Sequence, residues 1–467
     1  MRNILMIVIM GTIIGMGWYV SMKVPAEINK QFEETVSQGA AYEEKGFYLD
    51  AINSYNEALT IKNDTSVKKS IVMDYLAMED YKSFEKEAVA YLKNEPDEEI
   101  YKNLIRYYFD STNKESAGAY ITAAEENYPE SEAIHDLRTE FDGLFNLSYT
   151  EYSDVTEFID GHAVAKVVTG ETFDEESDIE VYYLLDNKGK KSIKDPFTVI
   201  NDVKGMDEVK TGETNEKENI FGKVVVTGQL YEESKLVCLD EDGYNRAVDT
   251  DGFDYIGAEH DGKMLVKTDG KWMYMTNGAT GAVYDDATAF QNGVAAVKKD
   301  GKWALIDTDE NQITEFAYEN VYTDYLKSCS RGGVIFAKKD VDSGFMLLDT
   351  LGNRIGTDTY EEVKGFLGDS GVAAVKMNGR WGAINTKGEI VIPFEHDEIG
   401  SSETGYIPYK DGDFWGYISP DGEVLIEAQF DEASGITKDG YGMVKEGDYW
   451  EIITIYSIKG DETIFDL

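Results

Sequence analysis

The chain has 467 residues, too many for one ordinary hydrophobic core, so its length indicates two or three domains. Hydrophobic residues make up 42% and aromatic residues 12%, a composition that excludes a disordered chain. With 90 acidic and 44 basic residues the formal net charge is -46, which excludes nucleic acid and anionic lipid headgroups as favoured partners. This acidity predicts a solvated surface that keeps the protein soluble, with a cation-collecting surface as the alternative.

The first predicted element is an apolar helix within residues 1–24. Residues 4–20 carry no charge, and about 17 residues at 1.5 Å each give roughly 26 Å, near the lower limit for crossing a hydrocarbon core. Because Arg2 precedes this run, we expect a single-pass signal anchor at the cell membrane, with the N-terminus cytoplasmic and the bulk of the chain extracytoplasmic. A signal peptide that is cleaved after Ala26 is the alternative.

Residues 29–145 have apolar positions at helical spacing, and small or aromatic residues recur there at a constant interval. The recurring sets are Tyr42, Tyr75 and Tyr108; Ala51, Phe84 and Ala117; and Ala58, Tyr91 and Ala124. Such a recurrence is typical of antiparallel helix pairs, in which small side chains allow close approach and aromatic rings fill the gap beside them. Residues 133–144 have one apolar face and are expected to form a capping helix.

The arrangement of Gly39, Ala51, Tyr55 and Ala58 resembles that of a tetratricopeptide repeat. Residues 29–145 are therefore similar to three tetratricopeptide units, two of them degenerate. The resemblance implies a concave groove for a peptide or a helix. A spacer that holds the following domain off the membrane explains the same residues, and both interpretations stay open.

From residue 150 to residue 467 the pattern changes to short alternating apolar runs broken by glycine turns, which indicates many strands. In each copy a strand enters a tight turn, an aromatic residue opens the next strand, and an aromatic-acid pair such as Phe394-Glu395 or Phe430-Asp431 closes the unit. The turn dipeptides, which accept the positive φ angles of a hairpin, are Asp269-Gly270, Asp300-Gly301, Asn378-Gly379, Asp411-Gly412 and Glu446-Gly447. The aromatic residues that open the next strand are Trp272, Trp303, Phe345, Trp381, Trp415 and Trp450.

This repeat resembles the WG-repeat family, which is common in bacterial proteins and is named for its Trp-Gly dipeptide. Trp381-Gly382 and Trp415-Gly416 match the dipeptide, and the other copies keep the aromatic residue alone. Residues 181–189 and 235–243 look like eroded copies. The resemblance implies a repeat domain of unknown or adaptor-like role, with no catalytic residue shared across the family.

The repeats predict about seven or eight units, and closing them into a β-propeller would remove exposed sheet edges. In that arrangement Tyr152 to Ile159 could complete the last blade. An open β-hairpin solenoid is the alternative. The tryptophans are interpreted as core residues, because each would bury on the order of 150 to 250 Å²; an exposed row that stacks on sugars is the other interpretation.

Residues that could carry chemistry are scattered. The four histidines, His135, His162, His260 and His396, have no metal-ligand spacing and are expected at the surface or in turns. Cys238 and Cys329 are expected to be free, mostly buried thiols. The acidic runs 307–311 and 249–254 imitate the start of a calcium loop but lack its later ligands, so both are expected to be turns. We assign no catalytic, cofactor-binding or metal-ligating residue, and no cofactor.

The leading hypothesis is a membrane-anchored extracytoplasmic repeat scaffold that mediates protein-protein interaction at a bacterial cell surface and is not an enzyme. Its partners would be one or more proteins of unknown identity and, through the N-terminal helix, the membrane. The alternative is a binding module for a small ligand, a cation or a cell-envelope glycan on the β-repeat domain.

Overall fold

The computed structural model describes residues 26–148, 152–156, 158, 163–169, 179–186, 190–191, 199–205, 224–230, 233–239, 245–247, 255–276, 279–324, 327–366 and 370–460. The chain divides into two compact units, a helical unit that ends at Asp142 and a β unit over Gly143–Ile458. The predicted signal anchor, residues 1–24, lies outside the described residues. Within them, no helix combines the length and the apolar character needed to cross a membrane.

The helical unit is a succession of seven helices over the described residues 26–142. Helix α1 covers residues 26–43. The following helices are α2 (Tyr48–Ile61), α3 (Thr65–Ala77), α4 (Tyr81–Leu92), α5 (Glu98–Asp110), α6 (Ser116–Asn127) and α7 (Glu132–Asp142). Asp64, Asp80 and Asp97 begin α3, α4 and α5, because each side chain accepts hydrogen bonds from the backbone N–H groups of the first turn.

The small and aromatic residues that recur in the sequence occupy equivalent places in successive helix pairs. Ala51, Phe84 and Ala117 lie in α2, α4 and α6, and all three are fully buried. Gly39 of α1 is a point of close approach, since a Cβ atom there would stand 2.5 Å from the ring of Tyr55. The predicted pairing of small and large side chains therefore forms the contact between helices. The capping helix ends at Asp142, two residues before the predicted end, because a strand follows.

The described part of the β unit forms eight antiparallel sheets, numbered here in chain order. Sheet 1 contains β2 (Asp154–Val155), β3 (Ala163–Thr169) and β4 (Ile179–Leu185); sheet 2 contains β5 (Val199–Gly205), β6 (Val224–Leu230), β7 (Glu233–Leu239) and β8 (Asn245–Ala247); sheet 3 contains β9 (Tyr255–His260), β10 (Lys263–Thr268), β11 (Lys271–Thr276) and β12 (Ala279–Thr280); and sheet 4 contains β13 (Asp286–Ala287), β14 (Val294–Lys299) and β15 (Lys302–Asp307).

The remaining four sheets follow in the same way. Sheet 5 contains β16 (Asn320–Val321), β17 (Val334–Lys338), β18 (Phe345–Asp349) and β19 (Arg354–Tyr360); sheet 6 contains β20 (Glu362–Lys364), β21 (Val372–Met377), β22 (Arg380–Asn385) and β23 (Ile390–His396); sheet 7 contains β24 (Glu398–Ile399), β25 (Ile407–Asp411), β26 (Phe414–Ile418) and β27 (Val424–Phe430); and sheet 8 contains β28 (Glu432–Ala433), β29 (Tyr441–Glu446), β30 (Tyr449–Ile455) and β1 (Phe145–Leu147). A short helix, α8 (Tyr456–Gly460), follows β30.

Apolar side chains are buried between consecutive sheets from sheet 3 to sheet 8, so each of these sheets shares a core with the next. Separate clusters join sheets 3 and 4, 4 and 5, 5 and 6, 6 and 7, and 7 and 8. A further cluster joins the last sheet to the first, because Met443 and Ile452 of sheet 8 pack with Ala163, Ala165 and Leu185 of sheet 1. No sheet could bury its two faces alone, which is the physical reason for the repeat.

The strand that completes the last sheet is β1, and not the predicted segment Tyr152 to Ile159. Phe145 and Leu147 of β1 pair with Ile455 and Ile453 of β30. The predicted segment is divided between two sheets. Tyr152 forms a bridge with Trp450 of sheet 8, and Asp154–Val155 is the first strand of sheet 1. The prediction is confirmed for Tyr152 and wrong for Asp154–Val155. Strand β1 was missed because a three-residue strand carries no pattern that separates it from the helix before it.

The hairpin turns are confirmed in sheets 3, 4 and 6 and are shifted by one residue in sheets 7 and 8. Asn378 and Gly379 have φ angles of 53° and 77°, as a two-residue turn with two positive φ angles requires. In sheet 7 Asp411 pairs with Phe414, so the turn residues are Gly412 and Asp413. Sheet 8 repeats this shift, since Glu446 pairs with Tyr449.

Candidate functional site

The side chains that distinguish this repeat lie in a transverse row across each sheet. In this row a polar residue of the first strand lies beside a lysine of the second, an aromatic residue of the third and another ring on the fourth. The rows are Asp286, Lys298, Trp303 and Tyr318 in sheet 4; Glu362, Lys376, Trp381 and His396 in sheet 6; Glu398, Lys410, Trp415 and Phe430 in sheet 7; and Glu432, Lys445, Trp450 and Tyr152 in sheet 8.

Sheets 1, 3 and 5 contain variants of the same row. Their second-strand residues are again lysines, namely Lys166, Lys267 and Lys338. Tyr255 replaces the acid in sheet 3, Asn320 replaces it in sheet 5, and Phe345 replaces the tryptophan in sheet 5. A lysine therefore stands opposite an acid, an amide or a ring in seven of the eight sheets.

In sheets 3 to 8 the ammonium group of the row lysine lies 4.4 to 5.9 Å from the centroid of the aromatic ring on the third strand. The Nζ atoms of Lys298, Lys376 and Lys445 lie 5.7, 5.8 and 5.8 Å from the centroids of the opposite tryptophan rings. At such distances a cation-π contact contributes about 0.5 to 1 kcal/mol at exposed sites. The first-strand acid completes the arrangement, as in the ion pair between Lys376 and Glu362 at 2.6 Å. The row lysines therefore stabilise the sheet.

A tripeptide of the form aromatic-polar-polar joins the last ring of one sheet to the first strand of the next. The tripeptides are Tyr284-Asp285-Asp286, Tyr318-Glu319-Asn320, Tyr360-Glu361-Glu362, His396-Asp397-Glu398, Phe430-Asp431-Glu432 and Tyr152-Ser153-Asp154. In each one the N–H group of the middle residue donates to the carbonyl oxygen of the row lysine that follows. We call these segments junction tripeptides.

The junction that follows sheet 6 corrects a prediction from the sequence. Phe430-Asp431 is a closing pair as predicted, but its counterpart is His396-Asp397 and not Phe394-Glu395. Trp381 pairs with His396 in the same way that Trp415 pairs with Phe430. The register shifts between Trp381 and Ala383, so the ring that the sequence selects lies two residues too early.

The middle acids of the junction tripeptides hold the hairpins of adjacent sheets. Asp397 accepts a hydrogen bond from the N–H group of Gly412 in sheet 7 and forms an ion pair with Arg380 in sheet 6. Asp285 does the same with Asp300 N–H in sheet 4 and Lys271 in sheet 3. These acids therefore cap turns, and they account for part of the negative charge.

The tryptophans lie between sheets, as expected for core residues. Trp272, Trp303 and Trp381 are buried, whereas Trp415 and Trp450 are half-buried at the edges of their clusters. None of these five rings is exposed. These five rings therefore do not form the exposed row that stacking on sugars would need.

A cavity of about 300 Å³ lies between sheets 4 and 5, on the row face. Buried Trp303, Val321 and Phe345 contribute apolar lining, and Asp286 and Asn320 contribute polar groups. Its composition suits a small ligand with one apolar face and several hydrogen-bonding groups. The sequence did not reveal this cavity, because its lining comes from two sheets.

The remaining candidate residues are mostly structural. Burial raises the pKa of the Cys329 thiol to about 11, and this thiol is free as predicted; the side chain of Cys238 and the whole of His162 lie outside the described residues. His135 is exposed in α7, and His260 ends β9. His396, expected at the surface or in a turn, instead lies half-buried in a strand.

Only one of the two acidic runs that imitate the start of a calcium loop can be compared with its predicted turn. Residues 249–254 lie outside the described part of the chain. At the other run, Asp307 accepts hydrogen bonds from the backbone N–H groups of Asp309 and Asn311, which is the turn chemistry that the sequence predicts. Throughout the described residues, no three His, Cys, Asp or Glu side chains are grouped to hold a metal ion.

The helical unit contains one buried carboxyl group that was not predicted from the sequence. Asp74 in α3 is only 1% exposed, and its Oδ2 atom has no hydrogen-bond partner among the described residues. Burial, and then the nearby Glu43 carboxylate, raise the pKa of Asp74 to about 7. The pKa of Asp74 is therefore higher in the folded chain than in the unfolded chain. The neutral carboxyl group contributes fully to the stability of the fold in acid, and this contribution is lost as the pH rises through about 7.

We expect Trp381→Ala to lower the free energy of unfolding of the β unit by about 3 to 5 kcal/mol, because the ring is buried between sheets. Trp415→Ala should cost less, since that ring is half-buried. Chemical denaturation monitored by circular dichroism measures both. Trp381→Phe is the control, because Phe345 occupies the same row position in sheet 5. Parent-like unfolding of both alanine variants contradicts the core assignment.

We expect His396→Phe to reduce the loss of stability on acidification. Burial lowers the pKa of His396 from its usual 6.5, although nearby Glu395, Asp411 and Asp397 act in the opposite direction. The neutral imidazole therefore stabilises the fold above about pH 6.5, and this contribution is lost as the pH falls below it. Phenylalanine occupies the equivalent place at Phe430 and cannot titrate. Unfolding curves at about pH 7, 6 and 5 test this; equal pH dependence in both proteins contradicts it.

Comparisons with known proteins agree with the repeat pattern. A family model described as WG containing repeat matches residues 281–303, 359–381, 381–413 and 415–450. A search of curated proteins finds no match.

Solved structures offer only distant likenesses. A structure of streptogramin B lyase has 15% identity and a TM-score of 0.27, covering 56% of this chain and 99% of its own. A structure of a eukaryotic initiation factor has 10% identity and a TM-score of 0.37, with coverage of 66% and 87%. Hsv2 of Kluyveromyces lactis has 11% identity and a TM-score of 0.27, with coverage of 39% and 66%. Scores this low support no inference about this chain, and the family match carries the conclusion: the β unit contains WG repeats within residues 281–450.

Proposed function

We propose that this protein is a non-catalytic scaffold for protein-protein interaction, in which a tetratricopeptide-like helical unit and a closed ring of WG repeats present surfaces to partner proteins. The observation that carries the proposal is that the row residues are engaged in contacts within the β unit. Their acids, lysines and rings contact one another, so the repeat chemistry maintains a rigid framework and leaves the hairpin tips free to vary. A framework with variable tips is the usual organisation of a binding protein.

The ring is proposed to be an eight-bladed β-propeller, and the junction tripeptides support closure. Tyr152-Ser153-Asp154 connects sheet 8 to sheet 1 with the same bridge and the same backbone hydrogen bond as the internal junctions. The cluster that joins these two sheets, and the strand β1 in sheet 8, support the same arrangement. An open solenoid would have no reason to place an internal type of junction between its two ends.

Tyr152→Ala tests closure against the matched variant Tyr360→Ala. Both rings are nearly fully buried and hold the last position of a row, in sheets 8 and 5. We expect each variant to lose about 3 to 5 kcal/mol of unfolding free energy, because both remove a ring packed between two sheets. Denaturation of the full chain measures the loss. If Tyr360→Ala destabilises and Tyr152→Ala does not, the ends are not joined.

The proposal includes the location of the protein in the cell. The apolar residues 4–20, preceded by Arg2, support a signal anchor that leaves both units outside the cytoplasm at a bacterial cell surface. The acidity of the chain supports a partner that is neither nucleic acid nor an anionic lipid surface.

Cross-linking in intact cells tests the scaffold and its location together. A tagged full-length chain is treated with a membrane-impermeant amine-reactive reagent, and in parallel with a permeant one. We expect the same proteins to be recovered with both reagents. Recovery with the permeant reagent alone contradicts the extracytoplasmic location, and recovery of no specific protein with either reagent contradicts the scaffold. A small molecule recovered without any protein partner would favour the second candidate, a ligand-binding role for the cavity between sheets 4 and 5.

A further inference from the structure

The hairpin tips of the β unit differ in chemistry from sheet to sheet. In sheets 3, 4 and 6 a cation begins the third strand, and it forms an ion pair with the middle acid of the following junction. These pairs are Lys271 with Asp285, Lys302 with Glu319 and Arg380 with Asp397. The charge of each of these cations is therefore compensated by a junction acid.

Sheets 7 and 8 have an aromatic residue at the same position. Phe414 and Tyr449 precede Trp415 and Trp450, as Arg380 precedes Trp381. Phe414 is 47% exposed and Tyr449 is 49% exposed, although a cation would suit this place on both sheets. Two adjacent repeats thus depart from the pattern in the same way.

Carboxylates flank both exposed rings. Asp411 lies directly across the hairpin from Phe414, and Glu446 lies across from Tyr449. The shifted turn adds a second acid to each tip, Asp413 in sheet 7 and Asp448 in sheet 8, and all four acids are exposed. Each tip therefore combines one accessible ring with two carboxylates.

This combination suits a guanidinium group more than any other common side chain. Guanidinium is planar and weakly hydrated, so it stacks on an aromatic ring while its N–H groups donate to carboxylates. An ammonium group is more strongly hydrated and stacks less well. Two such tips on neighbouring sheets favour a ligand that carries two or more arginines.

We propose that the hairpin tips of sheets 7 and 8, Asp411 to Phe414 and Glu446 to Tyr449, bind an arginine-rich segment of a partner protein. This inference rests on the proposed scaffold function and gives it a surface and a partner chemistry. The opposite charges of the tips and the segment speed their encounter, and the rings provide the selectivity for arginine.

The test uses the purified full-length chain and a short fluorescent peptide of alternating arginine and serine, with a lysine-serine peptide for comparison. Fluorescence anisotropy at physiological salt measures the dissociation constants. We expect the double substitution Phe414→Lys with Tyr449→Lys, which restores the cation of the other tips, to weaken arginine-peptide binding about tenfold or more. The parent should also bind the lysine peptide more weakly than the arginine peptide.

The matched control is Val341→Lys with Leu351→Lys. These residues are 75% and 70% exposed, in the turn between β17 and β18 and in the turn between β18 and β19, and the control adds the same two positive charges. Its affinity should stay within about twofold of the parent. An equal loss in both double variants, or equal affinity of the parent for both peptides, would mean that the diffuse acidity binds the peptide, and it would overturn the inference.

Two further measurements separate the remaining outcomes. Asp413→Asn with Asp448→Asn keeps the rings and the turns, so weakened binding supports the tips even if the lysine variant folds poorly. If the parent binds no arginine peptide, or if sedimentation shows that the tips instead pair two copies of the chain, the inference is wrong. A parent chain that binds no arginine peptide could still be cross-linked to protein partners in cells. The two experiments therefore test the arginine-binding surface and the scaffold function separately.

Discussion

The β unit depends on one contact, the packing of a row lysine and a ring on neighbouring strands. The ammonium group of Lys376 lies 5.8 Å from the centroid of the buried Trp381 ring. Glu362 then compensates the charge. Because the same contact recurs in sheets 3 to 8, these sheets meet through similar surfaces, and the junction tripeptides join them at similar spacing.

This framework limits where the chain can vary without unfolding. At the third and fourth row positions in sheets 3 to 8 the exchanges keep a ring, such as Phe345 for tryptophan or His396 for phenylalanine. The tips have no such restriction, because a turn needs only glycine at the correct place and an acid to cap it. The tips of sheets 7 and 8 have a shifted turn and an aromatic residue in place of the cation, while Trp415 and Trp450 occupy the usual row position. Differences among repeats are informative about binding only when they fall outside the row.

Much of the β unit could be predicted from the sequence, since glycine turns and tryptophans are local signals. Asn378-Gly379 and Trp381 were located correctly. The row lysines were not recognised as a structural feature, because a lysine at the end of an amphipathic strand looks like an ordinary surface residue until its neighbour across the sheet is known. The cavity beside Trp303 and the strand β1 depend on residues far apart in the chain. Local patterns do not specify such contacts, and the same holds for the buried carboxyl group of Asp74.

The position of β1 has a consequence for how the β unit folds. The hydroxyl group of Ser148, just after β1, accepts a hydrogen bond from the N–H group of Ile452, which lies 304 residues further along the chain. During synthesis β1 must therefore wait without its partner until almost the whole β unit has been made. Contacts of such long sequence separation slow folding, and an unpaired strand edge exposed in the meantime is a site for aggregation. The final pairing step, more than the stability of any one sheet, would then limit the yield of native protein.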